Sequence, residues 1–433
     1  MTQKIRRSSF RKSFHQGLRR FFSVLPQSLR FAIYRSMVDC DPEPDKRLEL
    51  KIAETREELE ACFRILHDAY VASGFMKPDP SGMRVTIYHA LPTTTTLCAK
   101  YDGRVVGTIS MIREGVFGFP LQSVFDLSHI RALEGNIAEI SALAVHPDFR
   151  KTGGAILFPL MKFMYEYCTE FFDTRHLVIA VNPDKIELYE SLLFFRRLQE
   201  TVVDRYDFAN GAPAVGATLD LKEAPDIFKR VYGRRRDRKN LFKYFVGLRL
   251  PNIKLPKRRY FTTNDPVMTP ALLDHFFNQR SPVFQELDDR RKSLLWSIYE
   301  IYEYRRVLPM LDSASTTVQS HPLRRHQRFS LRCPAQIRFS LDDGEHNFAL
   351  TVIELSLSGF QAMSRQPLPL SLAGEAVVEL GEGDRSVVKA TAVRQHETGG
   401  ETFYGFRLEE PDASWRRCVA ALETGMVSSD LAA

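Results

Sequence analysis

The residues best suited to chemistry lie between positions 139 and 189. Glu139 begins the run Glu-Ile-Ser-Ala-Leu-Ala-Val, whose apolar residues predict a buried strand. The run Arg150-Lys-Thr-Gly-Gly-Ala155 follows and opens a long apolar segment, which predicts a helix. Unpaired backbone N–H groups and the helix dipole make such a glycine-rich helix start an anion site. The stretch therefore predicts a phosphate-binding loop, and the alternative is a solvated loop before a core helix.

A second group of residues, near the C-terminus, is suited to binding a nucleotide. Arg324, Arg325 and Arg328 carry guanidinium forks, which form bidentate contacts with phosphates and guanine edges. The later run Glu354-Leu-Ser356-Leu-Ser-Gly359 has the composition of a strand that ends in a turn of small residues. Together they predict a regulatory nucleotide site, and the alternative is that the arginines form only a basic linker.

The elements around the first site predict an α+β domain. Leu48 to Ala53 alternates like a strand, and Thr55 is the cap of a helix that follows. A Tyr-Asp-Gly-Arg hairpin and a strand from His176 to Val181 complete the mixed order of elements. Pro159 falls inside the predicted long helix, where it is expected to remove a hydrogen bond and kink the helix.

The rest of the chain predicts helices and then a barrel. Residues 260 to 312 carry apolar residues at a spacing of three to four, which is typical of packed helices. A Ser/Thr-rich linker follows, and beyond it short strand-like segments alternate with turn residues. That pattern predicts a small antiparallel β-barrel.

Positive charge is unevenly distributed along the 433 residues, a length that predicts two or three domains. The net charge is +7, yet residues 1 to 38 hold nine Lys or Arg and no acid. In a second block, from Phe228 to Arg259, Asp237 is the only carboxylate. Such blocks favour a lipid surface, an acidic protein or a nucleic acid, and the sequence alone does not choose among them. Apolar residues at helical spacing in the first block are what an interfacial helix requires.

Several classes of protein are disfavoured by the composition. No segment reaches the roughly 18 uncharged apolar residues of a bilayer span, and the N-terminus lacks the apolar region of a signal peptide. The six cysteines are scattered, without metal-ligand spacing. These features predict a cytoplasmic protein without a metal, with a peripheral position at the inner membrane face as the further hypothesis.

The first site resembles the GNAT acyltransferase family. The resemblance rests on the glycine loop and on the later segment Asn182-Pro…Tyr189…Phe194, and it covers roughly residues 48 to 221. The stretches Phe119-Pro-Leu-Gln-Ser-Val-Phe and Asn210-Gly-Ala-Pro-Ala-Val are similar to the N-acyl amino acid synthase branch, related to LuxI-type acyl-homoserine-lactone synthases. The family implies a mixed sheet with flanking helices and a donor thioester of acyl carrier protein or CoA. The donor-binding residues that it implies are Leu143, Val145, Arg150, Lys151, Gly153, Gly154, Ala155 and Asn182.

The resemblance also implies roles in catalysis. Backbone amides near Leu143 to Val145 are expected to hold the thioester carbonyl. Glu139 is the candidate to position or deprotonate the acceptor amine, and Tyr189 is the candidate acid for the leaving thiolate. The alternatives are a structural salt bridge for Glu139 and a stacking role against the pantetheine for Tyr189. Arg113 and Asp79 are predicted to bind the acceptor's carboxylate and amine.

The C-terminal motifs resemble the PilZ domain. That family is a small β-barrel that binds cyclic di-GMP through an RxxxR arm and a [DN]xSxxG strand motif, and Glu354 stands where the family has Asp or Asn. The resemblance implies cyclic di-GMP as a regulatory ligand. The implied contacts are Arg324, Arg325, Arg328, Glu354, Ser356 and Gly359.

The predicted organisation has five parts. They are a basic amphipathic arm (1–45), a GNAT-like domain (46–225), a basic helix-rich extension (226–312), a linker (313–321) and a PilZ-like domain (322–420). The predicted function is transfer of a long-chain acyl group to an amino acid or related amine, under control by cyclic di-GMP. Acyl carrier protein is the predicted partner, and no nucleic acid polymer is expected. An acetyl-CoA-dependent N-acetyltransferase and a non-catalytic cyclic di-GMP effector are the alternatives.

Overall fold

The computed structural model describes residues 25–150, 152–172, 174–262, 268–299, 302–311, 328–341, 344–398 and 401–424. The described chain forms an eight-stranded mixed sheet followed by a closed six-stranded barrel. The predicted α+β fold with a C-terminal antiparallel barrel is therefore confirmed. Most of the predicted basic arm and the whole predicted linker lie outside the described residues.

The large sheet is antiparallel except at one junction. Its order is β1-β2-β3-β4-β5-β8-β6, with β7 also paired to β8, and β4 and β5 run parallel. The strands are β1 Leu48–Ile52, β2 Thr94–Tyr101, β3 Arg104–Arg113, β4 Asn136–Val145, β5 Thr174–Val181, β6 Arg196–Arg197, β7 Val203–Tyr206 and β8 Ala212–Asp220.

Helices cover both faces of this sheet. They are α1 Gln27–Ser36, α2 Arg56–Ala72, α3 Ser128–Arg131, α4 Leu157–Phe171, α5 Pro183–Leu193, α6 Ala224–Tyr232, α7 Pro270–Asp274, α8 Asp289–Ile298 and α9 Tyr302–Arg305. The apolar side of α4 packs on one face of the sheet, and that of α2 packs on the other. Among the described helices, none is long and apolar enough to cross a bilayer.

Local sequence signals explain where α2 and α4 begin. Thr55 and Glu58 form the predicted capping box at the start of α2. Helix α4 begins at Leu157, so Pro159 lies in its first turn. A first-turn residue has no intrahelical partner for its N–H, and proline is tolerated there. The expectation that Pro159 would kink the helix is wrong for this reason.

A bulge interrupts β4 at Ala142. Ala142 has a left-handed backbone (φ 56°), and the register against β3 shifts between the Thr108–Ala144 and Ser110–Ser141 pairs. The extra residue reverses the alternation of side chains. Ala138 therefore packs in the core beside α4, whereas Ala142 and Ala144 pack in the core beside α2.

The barrel closes in the order β10-β11-β14-β13-β12-β9. Side chains along each strand alternate between the barrel interior and the surface. In β9 the interior side chains include Leu331, Cys333 and Ile337. Trp415 of the C-terminal helix α10 (Ala413–Thr424) is fully buried against the barrel and donates its indole N–H to the Ser356 carbonyl (2.9 Å). The strands are β9 Phe329–Leu341, β10 Gly344–Ser356, β11 Gly359–Ser364, β12 Ala373–Gly381, β13 Asp384–Thr398 and β14 Glu401–Leu408.

Residues 258–262, here called the connecting segment, contact both the sheet domain and the barrel. Tyr260 is buried in the barrel core, and the Phe261 backbone bonds to Leu380 and Arg332 of the barrel (3.0 and 2.9 Å). Arg258 donates to the Tyr167 hydroxyl of α4 and stacks over nearby aromatic rings. The barrel is thus joined to the sheet domain by packed side chains as well as by the chain itself.

We predict that Gly381→Ala weakens this junction. A Cβ atom at position 381 would lie 1.7 Å from the Arg259 carbonyl oxygen and 3.0 Å from the Tyr260 Cα, both of them backbone atoms. Relief of that overlap requires the connecting segment to move, at a cost of about 1–3 kcal/mol. Calorimetric unfolding is expected at lower temperature, with faster proteolysis near residue 260. Gly247→Ala, whose Cβ would meet only ordinary contacts, is the control; equal unfolding temperatures for both variants would contradict the prediction.

Candidate active site

A cleft opens between the two parallel strands of the sheet. Pairing of β4 with β5 runs from Asn136 to Glu139 and ends there, whereas β4 continues to Val145. Beyond this point β5 remains paired with β8 on its other side as far as Val181. Backbone groups of β4 after Glu139 that face β5 therefore have no ladder partner on that strand. Such exposed donors are what a thioester carbonyl would need.

The cleft contains an apolar cavity of about 250 Å³. Residues of both parallel strands line it, including Ser141 and Leu143 of β4 and Ala180 of β5. It continues along α4 to the helix and turn that follow the sheet. The other side chains that form its wall include Tyr70, Met161, Met164, Asn182, Tyr189, Phe228, Phe245 and Val246.

Glu139 lies on the sheet face that carries α2. Its side chain is 1% exposed, and its carboxyl group accepts a hydrogen bond from the Leu121 backbone N–H (3.0 Å). Burial raises the pKa of this carboxyl to about 8, and the hydrogen bond from Leu121 opposes part of that rise. No Lys or Arg forms an ion pair with Glu139 within the described chain, so the alternative of a structural salt bridge finds no partner there.

Tyr189 and Asn182 line the cavity on the α5 side. Asn182 caps α5 through its side-chain oxygen, which accepts the Asp184 backbone N–H (2.9 Å). Tyr189 packs edge-on against Phe195 at 5.9 Å between ring centroids. Desolvation raises the pKa of the Tyr189 phenol. The phenol therefore carries its proton at neutral pH and has a proton to donate.

The glycine loop lies between β4 and α4, as predicted from the sequence. Gly153 and Gly154 both have left-handed backbones (φ 66° and 93°), and Arg150 donates to the Val145 carbonyl (2.8 Å). A Cβ at Gly154 would lie 2.6 Å from the Phe158 ring, so only glycine fits without displacing that ring. Ala155 follows in the same loop. Lys151 lies outside the described residues, and the donor role of this loop stays a prediction.

The two predicted acceptor-binding residues lie apart from each other. Arg113 is buried, donates to the Thr95 hydroxyl and the Pro92 carbonyl, and stacks over the Phe172 ring at 3.9 Å. Asp79 is exposed, and its carboxylate accepts hydrogen bonds from Ser81. The structure does not bring them together beside Glu139, and their role in acceptor binding stays a prediction.

Other residues converge near Glu139 that the sequence reasoning did not select. Arg84 is buried between the rings of Tyr70 and Phe208, and Tyr206 lies within electrostatic range of both Glu139 and Arg84. Their positions in the chain are far apart and follow no common spacing. The one local signal is the presence of Arg84 in an otherwise apolar stretch, Met83-Arg-Val-Thr-Ile87.

The second predicted site lies at the β10–β11 turn of the barrel. Arg328 forms an ion pair with Glu354 (2.6 Å), and each side chain is about one-third exposed. The Ser356 hydroxyl donates to the Gly359 carbonyl (3.1 Å), and a Cβ at Gly359 would lie 2.2 Å from the Phe406 carbonyl oxygen. Arg324 and Arg325 lie outside the described residues. The structure therefore brings Arg328, Glu354, Ser356 and Gly359 to one end of the barrel.

The described residues contain no cluster of three or more His, Cys, Asp or Glu side chains that could hold a metal ion. The predicted absence of a metal stays a prediction.

The sheet, its parallel β4–β5 cleft and its glycine loop form a GNAT-like fold. Residues 61–220 match the family model of the N-acyl amino acid synthase FeeM. This part of the chain is therefore similar to an N-acyltransferase domain of that family. No curated protein matches the chain.

Three solved structures illustrate the similarities. FeeM, from uncultured soil microbes, is 25% identical over 42% of this chain and 94% of its own (TM-score 0.36). BjaI, a CoA-dependent acyl-homoserine lactone synthase, is 21% identical over 48% of this chain and 92% of its own (TM-score 0.34). YcgR from Escherichia coli, solved with c-di-GMP, is 20% identical over 24% of this chain and 47% of its own (TM-score 0.21).

We predict that Glu139→Gln changes stability in a pH-dependent way. The folded protein holds the Glu139 proton up to a pKa of about 8, whereas the ordinary value is 4.5. The wild type therefore loses free energy of unfolding as pH rises from 4.5 through 8, a loss that glutamine does not share. At pH 7 this effect is expected to make the free energy of unfolding of the variant larger than that of the wild type by on the order of 3 kcal/mol.

Chemical denaturation at pH 5 and pH 8 measures this difference. Glu57→Gln, in the exposed first turn of α2, is the control for loss of a carboxyl group. A difference between Glu139→Gln and wild type that stays constant with pH would contradict the prediction.

Proposed function

We propose that the chain transfers a long-chain acyl group from a thioester to the amine of an amino acid or related compound. The observation that carries the proposal is the apolar cavity that begins in the β4–β5 cleft of a domain matching the FeeM family. A long aliphatic chain is held by burial of apolar surface, and specificity comes from a few polar groups. The cavity is lined mainly by apolar side chains, with a few polar groups such as those of Asn182 and Tyr189.

The shape of the cavity favours a long acyl chain over an acetyl group. From the cleft it extends past Met161 and Met164 to Phe228 and Phe245, which lie beyond the family-matched region. Flexible methionine side chains adapt to irregular apolar surfaces. An acetyl group would leave most of this space unfilled.

A buried ion pair stabilises the backbone of the wall at the far end of the cavity. Lys162 of α4 is fully buried, pairs with Glu166 (2.7 Å) and donates to the Phe245 carbonyl (3.2 Å). Desolvation lowers the pKa of Lys162, an effect that the Glu166 carboxylate opposes. Phe245 and Val246 line the cavity, so the lysine fixes the backbone of the wall against which the acyl chain would end.

The residues at the cleft support a mechanism of direct acyl transfer. The acceptor ammonium gives a proton to Glu139, and the amine nitrogen then attacks the thioester carbonyl carbon. Backbone N–H groups near Leu143 stabilise the resulting oxyanion. The C–S bond breaks as the oxyanion collapses, Tyr189 donates its proton to the thiolate, and the resulting phenolate takes the remaining proton from the amide nitrogen. A carboxyl pKa of about 8 suits Glu139 to this step, because it lies nearer to that of an amine than an ordinary carboxyl pKa does.

The donor carrier is proposed to be acyl carrier protein, with CoA as the alternative. Arg234, Arg236 and Arg238 are exposed, and Arg238 pairs with Asp39 (2.7 Å). Asp39 in turn lies 3.8 Å from where a Cβ would stand on Gly153. Arg238 therefore lies one ion pair away from the glycine loop, where an acidic carrier protein would deliver its thioester.

The barrel is proposed to bind cyclic di-GMP at the β10–β11 turn. Arg328 can contact a phosphate or guanine, and the Ser356 hydroxyl lies at the same turn. The Arg328–Glu354 ion pair already orients the guanidinium toward the turn. Ligand binding would replace or extend this pair.

The connecting segment offers a route by which the barrel could influence catalysis. Arg259 pairs with Asp384 of the barrel (2.9 Å), while its neighbour Arg258 contacts Tyr167, Phe171 and Phe172 at the end of α4. The opposite end of α4 follows the glycine loop. Movement of the barrel would thus act on the helix that carries the donor site. Membrane association of the N-terminal arm remains a separate hypothesis.

We predict that the full-length protein releases CoA from dodecanoyl-CoA only when an amine acceptor is present. Glu139→Gln is expected to lower turnover roughly 100-fold or more, because general base catalysis is lost. The wild-type rate should rise with pH toward the Glu139 pKa of about 8, and the variant should lose that rise. Tyr189→Phe is expected to slow thiolate release.

Three comparisons make this test specific. Acetyl-CoA in place of dodecanoyl-CoA distinguishes a short-chain enzyme, and dodecanoyl carrier protein in place of CoA compares the two donors. Glu57→Gln controls for general effects of losing a carboxyl group. Full turnover by both the Glu139 and Tyr189 variants at every pH would refute the assigned roles.

We predict that the full-length protein binds cyclic di-GMP and that Arg328→Ala weakens binding by roughly 2–4 kcal/mol, the effect of breaking a charged contact that the bound ligand would bury. Titration calorimetry measures the affinity. Glu354→Asn restores the residue type of the PilZ motif and should bind at least as tightly as wild type. Arg338→Ala is the matched control, because Arg338 is also a barrel arginine paired with carboxylates. Absence of heat for wild type and Glu354→Asn alike would rule out this ligand.

A further inference from the structure

Arg84 is a buried charge that the proposed mechanism does not use. It lies in the loop between α2 and β2, and only 5% of the residue is exposed. Its guanidinium carbon lies 4.1 Å from the centroid of the Tyr70 ring and 5.1 Å from that of Phe208. One of its N–H groups donates to the Phe208 carbonyl. Two aromatic faces and one carbonyl thus surround a permanently charged group.

No carboxylate neutralises this charge within the part of the chain that the structure describes. The Phe208 carbonyl is the one hydrogen-bond acceptor that the guanidinium contacts there, although a guanidinium has five N–H groups. Burying a charge without a counter-ion is unfavourable. The site is therefore complementary to an anion that comes from outside the described chain.

A second buried polar group lies in the same region without a partner. Tyr206 is 2% exposed, and its hydroxyl has no hydrogen-bond partner among the described residues. The charges of Glu139 and Arg84 both act on this phenol. A cation without a counter-ion and a hydroxyl without a hydrogen-bond partner therefore lie in the region of Glu139, the residue assigned to the acceptor amine.

The position of Arg84 connects it to the cleft. Tyr70, over whose ring the guanidinium is stacked, lines the cavity together with Ser141 and Ala142 of β4. The loop that carries Arg84 is held against α2, because the Arg84 backbone N–H donates to the Phe63 carbonyl and His67 accepts the Asp79 N–H (both 3.0 Å). Arg84 is thus held in place beside Tyr70, a residue of the cavity wall.

We propose that Arg84 binds the carboxylate of an α-amino acid acceptor, with the Tyr206 hydroxyl as a further contact. An α-amino acid carries its amine and carboxylate on one carbon, so a cationic and an acidic side chain on the same side of a cleft match its two ends. This inference rests on the proposed acyl transfer. It assigns the recognition of the acceptor's carboxylate to Arg84 in place of Arg113.

Paired acceptors test the proposal with the full-length protein and dodecanoyl-CoA. Phenylalanine is compared with phenethylamine, and leucine with isoamylamine, so that each pair differs only in the carboxylate. The wild type is expected to prefer the amino acid of each pair. Arg84→Met should raise the KM for the amino acids by roughly 30-fold or more and leave the KM for the amines unchanged. Arg84→Lys should recover part of the loss.

Arg47→Gln is the control for removal of an arginine stacked on a tyrosine, because Arg47 lies 4.5 Å from the Tyr101 ring at an exposed position. A wild type that acylates amines as readily as amino acids would overturn the Arg84 assignment while acyl transfer stands, even if Arg84→Met does not fold. If the wild type acylates neither acceptor, the proposed function fails. Calorimetry with phenylalanine and leucine then decides separately: Arg84-dependent binding supports the site, and absence of binding rejects it.

Discussion

The separation of β4 from β5 is the constraint on which the active site depends. The two strands pair only as far as Glu139, and the bulge at Ala142 then reverses which side chains face α2 and which face α4. A left-handed backbone at a residue other than glycine costs about 1–3 kcal/mol, and packing on both faces of the sheet must compensate. In return the sheet acquires a gap with free backbone groups between two otherwise well-packed layers. The cavity, the glycine loop and Glu139 are all placed by that gap.

Three buried ionisable side chains of this molecule, Lys162, Glu139 and Arg84, differ in how they are compensated. Lys162 forms an ion pair with Glu166 and donates to the backbone at the far wall of the cavity. The energetic cost of burying its charge is therefore offset within the protein. Glu139 and Arg84 are different, because neither forms an ion pair with a described residue. The first responds with a raised pKa, and the second cannot lose its proton. The ligand roles proposed for Glu139 and Arg84 rest on this difference from Lys162.

The connecting segment gives the two domains a shared physical junction. Tyr260 belongs to the barrel core, and Arg258, two residues earlier, belongs to the aromatic cluster at the end of α4. A barrel tethered by a flexible linker alone would have no such contact. The packing at Gly381, where the backbone of the segment comes too close for any side chain, makes this junction specific.

The sequence by itself determined the order and type of the main elements, because these depend on local periodicity, caps and turns. The Thr55 capping box, the glycine loop before α4 and the alternating barrel strands were all predicted in this way. It also selected Glu139 and Tyr189 as catalytic candidates through a family pattern. Tertiary structure alone decided the rest. Arg84, Tyr70 and Tyr206 come from distant segments, and only the strand register and helix packing bring them together. Pro159 was misjudged because the starting residue of α4 depends on how the glycine loop packs, which no local periodicity encodes.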